Sequence, residues 1–469
     1  MPDGEPRAGG GPGALPLRLL AVKPQERGAV AWAALYFFFV LAAHYVLRPV
    51  REAMGISGGA DKLAWLFVGT ALGSFAVQPL YGALVSAFSR AVFIPLAYRG
   101  FSLVLVGFSA LLTLSPTSRH VAIGYAFFIF FSVFNVFIVA VFWSVMADRF
   151  RPDQGKRLFG LIGAGGTLGA IAGAAATERL AHGLGAAGLP LVSVLLIEAA
   201  LWCARRVLAS ARQGDAAPAD EPRAAREREA ADGGADSTSG GRATSPPRDA
   251  EPDEQRALAR GGLWGGAARV LRSTYLLGVA AYVVLLSGGA TLVYMEQGRV
   301  VAAAFASQAD RTVFFARLDL WVNMLVLLVQ VFLAGRVIPK VGVGVTLALL
   351  PMVTLAGFVG LAAAPTLSAL FWFQVARRAG EYALARPARE VLYTVLKPDE
   401  KYKAKNFVDV FVFRAADVLW AWVDRGLRLL GGSSGALWTG MPLAIAWLVL
   451  SALLGRALRA RTRGAASPR

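Results

Sequence analysis

The sequence predicts an all-α, polytopic membrane protein of twelve transmembrane helices arranged as two six-helix halves. Three observations carry this. Apolar residues make up 56% of the 469-residue chain, the mean hydropathy is +0.54, and the apolar residues form long runs rather than short periodic segments, as bilayer-spanning helices require. A polar, low-complexity stretch divides the runs into two sets of six. The basic residues fall mainly on alternate connectors.

In chain order, residues 1–28 are rich in Gly, Pro and Arg and form a tail without a core. The run from Ala29 to Leu47 is too long for the apolar core of a cleavable signal and reads as a signal-anchor span. The first half, 29–208, holds spans at about 29–50, 63–87, 91–114, 120–146, 157–181 and 188–208, each long enough for a bilayer at 1.5 Å per residue. Residues 209–262 form a charged, Ser/Gly/Pro-containing linker that cannot bury enough surface to fold. Near its end, Leu263, Trp264, Val270 and Leu271 among arginines suggest a segment lying along the membrane interface. The second half, 263–458, holds spans at about 273–295, 312–334, 341–363, 367–385, 404–428 and 436–458, and 459–469 is a basic tail.

With the N-terminus inside, the inner connectors carry Arg149, Arg151, Lys156, Arg157, Lys340, Lys397, Lys401 and Lys403, whereas the outer loops Ser115–His120, His182–Gly188, Ala363–Thr366 and Gly431–Gly435 hold Arg119 alone. This is the positive-inside bias, so both termini are expected in the cytoplasm, and the Ala/Gly/Arg-rich composition suggests a bacterial inner membrane. The net charge of +18 is thereby spent on topology, which argues against nucleic acid as a partner. The lipid bilayer is the partner it indicates. One cysteine, Cys203, and three scattered histidines (His44, His120, His182) give neither a disulfide framework nor a metal spacing, so no cofactor is expected. No nucleophile–base pair suggests an enzyme.

Six spans, a linker and six spans is the arithmetic of the major facilitator architecture. An internal echo supports it: Arg151-Pro152-Asp153-Gln154 followed by Lys156-Arg157, and Lys397-Pro398-Asp399-Glu400 followed by Lys401 and Lys403, stand at the same place in each half.

Charges inside the spans point to function, because they are costly in lipid. The first span closes on Leu47-Arg48-Pro49-Val50-Arg51-Glu52, and the seventh closes on Glu296-Gln297-Gly298-Arg299. In the eleventh, Arg414 and Asp417 share a face that Asp424 and Arg428 continue, and Asp409 is within reach of Lys405. In the eighth, Asp319, Asn323 and Gln330 make a polar stripe, suited to packing or to lining. Glu178 and Glu198 are isolated carboxylates, and Asn135 and Trp143 are further polar or amphipathic candidates in the fourth span. Arg386-Pro387-Ala388-Arg389-Glu390 repeats the opening pattern on the inner side, where topology alone explains arginine; Glu381, one turn deeper, is the more functional position. Gly165, Gly169 and Gly173, four apart, predict a close helix–helix approach.

The run Tyr45–Glu52, the stretch Gly58–Trp65 and the loop Asp148–Gly166 resemble the ATP/ADP (NTP/NDP) exchange transporters of the major facilitator superfamily. That family carries a basic-x-x-basic-acidic motif at the outer part of its first helix, onto which Arg48, Arg51 and Glu52 fall; Arg51 stands where lysine, and Glu52 where aspartate, is usual. The resemblance implies that Arg48 and Arg51 bind phosphate oxygens, which guanidinium forks match well.

The expectation is therefore a secondary transporter of a small anionic solute, nucleotide-like first. Arg48, Arg51, Glu296, Arg299 and Arg414 are the candidate substrate-binding residues; Glu52, Glu178, Asp319, Glu381, Asp409 and Asp417 are candidates for coupling or ion pairing. One alternative is proton-coupled movement of another organic anion or a drug, with Asp417, Glu296 or Glu178 carrying the proton. Another is a non-transporting membrane protein that recruits a partner through its linker.

Overall fold

The computed structural model describes residues 22–215, 262–334, 337, 340–396, 398–430 and 435–466. The described residues form helices and contain no strand. In the first half these are α1 (Arg27–Gly55), α2 (Leu63–Ala87), α3 (Arg90–Leu114), α4 (His120–Arg149) and α5 (Pro152–Asp215). Gly185 breaks α5 into two arms with φ 59° and ψ −168°. Only glycine adopts that backbone geometry without strain, so the fifth and sixth expected spans are separated by one residue. The second half contains α6 (Gly262–Arg272), α7 (Thr274–Ala304), α8 (Gln308–Val329), α9 (Val343–Ala363), α10 (Leu367–Gly380), α11 (Arg386–Leu392), α12 (Pro398–Asn406), α13 (Phe413–Leu429) and α14 (Gly435–Ala466). Three π-helical segments continue or join these helices: Gln330–Ala334 after α8, Glu381–Ala385 between α10 and α11, and Phe407–Val412 between α12 and α13.

Nine helices among the described residues are long and apolar enough to cross a membrane. The chain is a multi-pass membrane protein. The runs α10–α11 and α12–α13 are not among the nine, and they carry the densest intramembrane charge of the second half. Several expected boundaries move. The tenth expected span, 367–385, continues through its π segment to Leu392, and the C-terminal tail is helical as far as Ala466. Within the described residues the interfacial segment is helical over Gly262–Arg272 and packs Gly266 against Lys403 and Phe407. The linker from 216 to 261 lies outside the described residues.

Packing separates the halves and then joins them. One apolar cluster draws almost wholly on the first half, among others Tyr36, Val40, Phe127, Phe142 and Ile197. Two more belong to the second half, around Tyr282, Leu350 and Trp447 and around Leu292, Phe358 and Leu370. A fourth mixes Ile56, Leu63 and Phe128 with Met295, Phe315 and Leu318, and closes the bundle where α1 and α7 run out. At that same end Arg425 donates to the Asp61 carbonyl at 2.9 Å, Trp65 meets Trp422 edge to face, and Arg317 pairs with Glu178 at 2.8 Å.

The glycine repeat of α5 lies against the backbone of α1. A methyl group on Gly165 would stand 2.6 Å from the Ala34 carbonyl oxygen, and Gly169 and Gly173 face the Phe38 and Ala42 carbonyls with no room for a Cβ. Small residues at that spacing let two backbones touch, which in lipid replaces the missing hydrophobic drive. Gly160 meets nothing within 4 Å. Gly169→Leu should therefore lower the detergent melting temperature by the equivalent of roughly 1–3 kcal/mol or prevent folding, whereas Gly160→Ala leaves the melt within experimental error.

Candidate functional site

The eighth and tenth helices meet the first at a single carboxylate. Asp319 of α8 accepts from Arg48 of α1 at 3.1 Å and from Arg378 of α10 at 2.5 Å, both on Oδ1. Next along α1, Arg51 pairs with Glu52 at 2.8 Å and lies over the Phe128 ring at 3.9 Å, while Glu52 also accepts the Tyr294 hydroxyl. Glu52, a candidate for coupling or ion pairing, thus braces Arg51, and Tyr294 ties it to the second half.

The π segment Glu381–Ala385 sets the tenth-helix side of the site. Pro387, just beyond it, has no N–H to offer the preceding turn, and its ring crowds the carbonyl four residues back. A wider turn relieves that crowding and re-aims the residues around it. Glu381, Tyr382 and Arg386 all line one cavity as a result. Arg377 pairs with Glu381 at 3.3 Å, and Arg386 lies over the Tyr382 ring at 4.7 Å. In α13, Asp417 accepts from Ser287 at 2.6 Å and stands 4.0 Å from Arg414.

These residues enclose two adjoining cavities between the halves. The first, of about 290 Å³, is lined by six arginines (Arg48, Arg51, Arg377, Arg378, Arg386 and Arg414) against four carboxylates (Glu52, Asp319, Glu381 and Asp417). The second, of about 380 Å³, shares Arg48, Arg51, Arg386 and Arg414 and has no carboxylate in its lining; His44, Tyr45, Phe131, Ser132, Asn135 and Tyr382 complete much of it. His44 is buried, stacks on Phe131 at 5.0 Å and has no partner for Nδ1 among the described residues. Among the described residues, Arg386 pairs with no carboxylate. Four guanidinium groups around a space without acids favour an anion, and the neighbouring rings and amides suit an organic one.

Of the expected site residues, the structure brings together Arg48, Arg51, Glu52, Asp319, Glu381, Arg414 and Asp417. It places Glu296 and Arg299 beyond the cavity: Arg299 bridges Glu296 and Asp424, the latter at 3.1 Å, and Arg428 joins Asp424 at 3.0 Å. Glu178 lies outside both cavities, paired with Arg317. Asp409 pairs with Arg389 at 3.4 Å rather than with Lys405, which reaches Glu390 instead at 2.7 Å, because the π turn at Phe407–Val412 rotates it toward α11. Gln330 is exposed, so the polar stripe of α8 ends at Asn323, whose amide donates to the Asp319 carbonyl. Asn135 lines the second cavity. Trp143 instead packs in the Phe37, Phe142 and Phe159 cluster. The sequence reading passed over Arg377, Arg378 and Tyr382. Two adjacent arginines inside an apolar run were the available signal.

No protein-family model and no curated protein matches the chain. Solved structures do, by fold. A bacterial homolog of the human lysosomal transporter Spinster, captured inward-facing and unoccupied, matches with a TM-score of 0.52 at 13% identity, over 94% of this chain and 98% of that one. The POT family transporter PepTSo matches with a TM-score of 0.56 at 13% identity, over 92% and 98%. The nucleoside transporter NupG matches with a TM-score of 0.57 at 10% identity, over 92% and 99%. The chain has the fold that these membrane transporters share.

The Arg299–Asp424–Arg428 cluster is a buried ionic knot outside the cavity, with the Asp424 side chain 4% exposed. Asp424→Ala should destabilise the protein by about 3–5 kcal/mol, because it takes the carboxylate from Arg428 and leaves Arg299 with Glu296 alone. Arg317→Ala at the half-exposed pair with Glu178 should cost no more than about 1 kcal/mol. Thermal unfolding in detergent, followed by size-exclusion recovery, distinguishes the two.

Proposed function

We propose that the chain is a secondary transporter of an organic anion, working by alternating access of its two halves around the arginine-lined cavities. One observation carries this: Arg48, Arg51, Arg386 and Arg414 surround a space whose lining holds no carboxylate. Arg48, Arg51 and Arg414 each have one carboxylate partner and Arg386 has none among the described residues, so arginines outnumber acids around the cavities, an excess of charge at depth that an anion would balance. The first candidate solute is a nucleotide, exchanged as NTP for NDP. This rests on the resemblance at Tyr45–Glu52 and on the rings beside the arginines; the likeness of NupG, a nucleoside transporter, is one of fold. In this reading Arg48 and Arg51 hold the most highly charged part of the solute, and Arg386 and Arg414 complete the fork. Glu296 and Arg299 seal the end of the bundle with Asp424 rather than touching the solute. That end is the outer one, with both termini cytoplasmic, so the conformation is inward-facing.

Purified protein in liposomes loaded with ADP should take up labelled ATP by counterflow. The double variant Arg48→Gln with Arg51→Gln should lose that uptake at least a hundredfold while reaching the membrane at wild-type level, each charge-assisted contact being worth roughly 1.5–3 kcal/mol. Uptake of some other organic anion, with none of any nucleotide, would retain the carrier and replace the solute.

A second reading has one observation behind it. Asp417 is buried in the cavity wall, held by Ser287, with Arg414 only at 4.0 Å, which is where a proton-carrying carboxylate would stand. Proton-coupled uptake would collapse when the pH gradient is removed and would be abolished in Asp417→Asn. Exchange should survive both changes, slowed by no more than about tenfold, the weight of one hydrogen bond. The linker reading concerns residues outside those described, and deleting 216–261 should leave counterflow intact.

A further inference from the structure

Inside the cavity wall most arginine–carboxylate pairs stay within one half: Arg51 with Glu52, Arg377 with Glu381, Arg414 with Asp417. Asp319 behaves differently. It takes Arg48 from the opposite half and Arg378 from its own, and it uses one oxygen for both. Its other oxygen, Oδ2, is buried and has no partner among the described residues. The Asp319 side chain is 3% exposed, yet it belongs to the lining of the first cavity, whereas the second cavity reaches the same Arg48 with no acid beside it.

We infer that Asp319 is a built-in stand-in for the solute anion, occupying Arg48 while the protein is empty and giving it up when an anion arrives. This rests on the reading above that an anion binds among these arginines. A carboxylate and a phosphate oxygen present the same acceptor to a guanidinium group, so both compete for the Arg48 fork. Two anions side by side on one arginine repel each other in a site partly shielded from water. Asp319 can release Arg48 without becoming a bare buried charge, because Arg378 keeps it at 2.5 Å. The empty site, in turn, does not leave Arg48 unpaired. Since Arg48–Asp319 joins α1 to α8, breaking it also loosens one of the contacts that hold the halves together. Anion binding and interface opening then draw on the same ion pair, which is the differential contact a two-state carrier needs.

The test uses the full-length protein in detergent, with inorganic pyrophosphate as the probe anion and binding read by titration calorimetry. Asp319→Asn removes the competitor and should bind pyrophosphate roughly tenfold more tightly than wild type, the weight of one charged hydrogen bond. Asp319→Glu keeps the charge and should stay near wild type. An Asn variant that binds equally or more weakly overturns the inference, since Asp319 would then be scaffolding or a direct support of the site. Wild-type protein that binds no pyrophosphate overturns the anion reading itself. A second measurement is independent of ligand affinity. Spin labels at Leu35→Cys on α1 and Leu328→Cys on α8, both exposed, are placed in a Cys203→Ser background. Their distance distribution should shift to longer values in ligand-free Asp319→Asn, and in otherwise wild-type protein on adding pyrophosphate. A distribution unchanged in both overturns the inference even where the Asn variant folds poorly.

Discussion

Asp319 between Arg48 and Arg378 is the interaction on which the centre of this molecule depends. Charges in a low-dielectric bundle must be neutralised where they stand, and the loss of a partner there costs far more than at a surface. Six arginines converge on one cavity, so the carboxylates around it are what make the fold possible at all. Their distribution is uneven. The lining of the second space includes four of these arginines and no acid, and that imbalance gives the cavity its chemical character.

The surrounding bundle supplies the rigidity that such a site needs. The α5 glycines let α1 lie against a neighbouring backbone, so the helix carrying Arg48 and Arg51 is held by direct backbone contact, reinforced by Ser193 and Thr177 donating to the Ala43 and Val46 carbonyls. On the other side, the α10–α11 and α12–α13 runs are interrupted by π turns. Rigid on the first half and locally rewound on the second, the site is built from unlike walls. The polar and apolar contacts at the end of α1 and α7 join those walls into one body.

Much of this was legible in the sequence. Apolar run length located the helices, because a membrane span has to satisfy its backbone internally and has to be long enough. Four-residue glycine spacing fixed which face of α5 would take a neighbour. Helical spacing within α13 paired Arg414 with Asp417 and Asp424 with Arg428, since neighbours three or four apart share a face whatever surrounds them. Asp409 escaped the same reasoning. A π turn adds a residue and rotates the helix beyond it, and nothing in Phe407–Val412 announces one.

The sequence by itself determined the class of fold, the place of the charged helix ends and the local pairs, all consequences of hydrophobicity and helical period within one segment. Only the tertiary structure decided which charges meet across segments: that Asp319 serves Arg48, 271 residues away, that Arg377 and Arg378 belong to the same cavity, and that Glu296 and Arg299 stay out of its lining. The reason is physical. Which partner a buried charge finds depends on how two halves dock, and docking is set by the sum of many small apolar contacts that no single stretch of sequence contains.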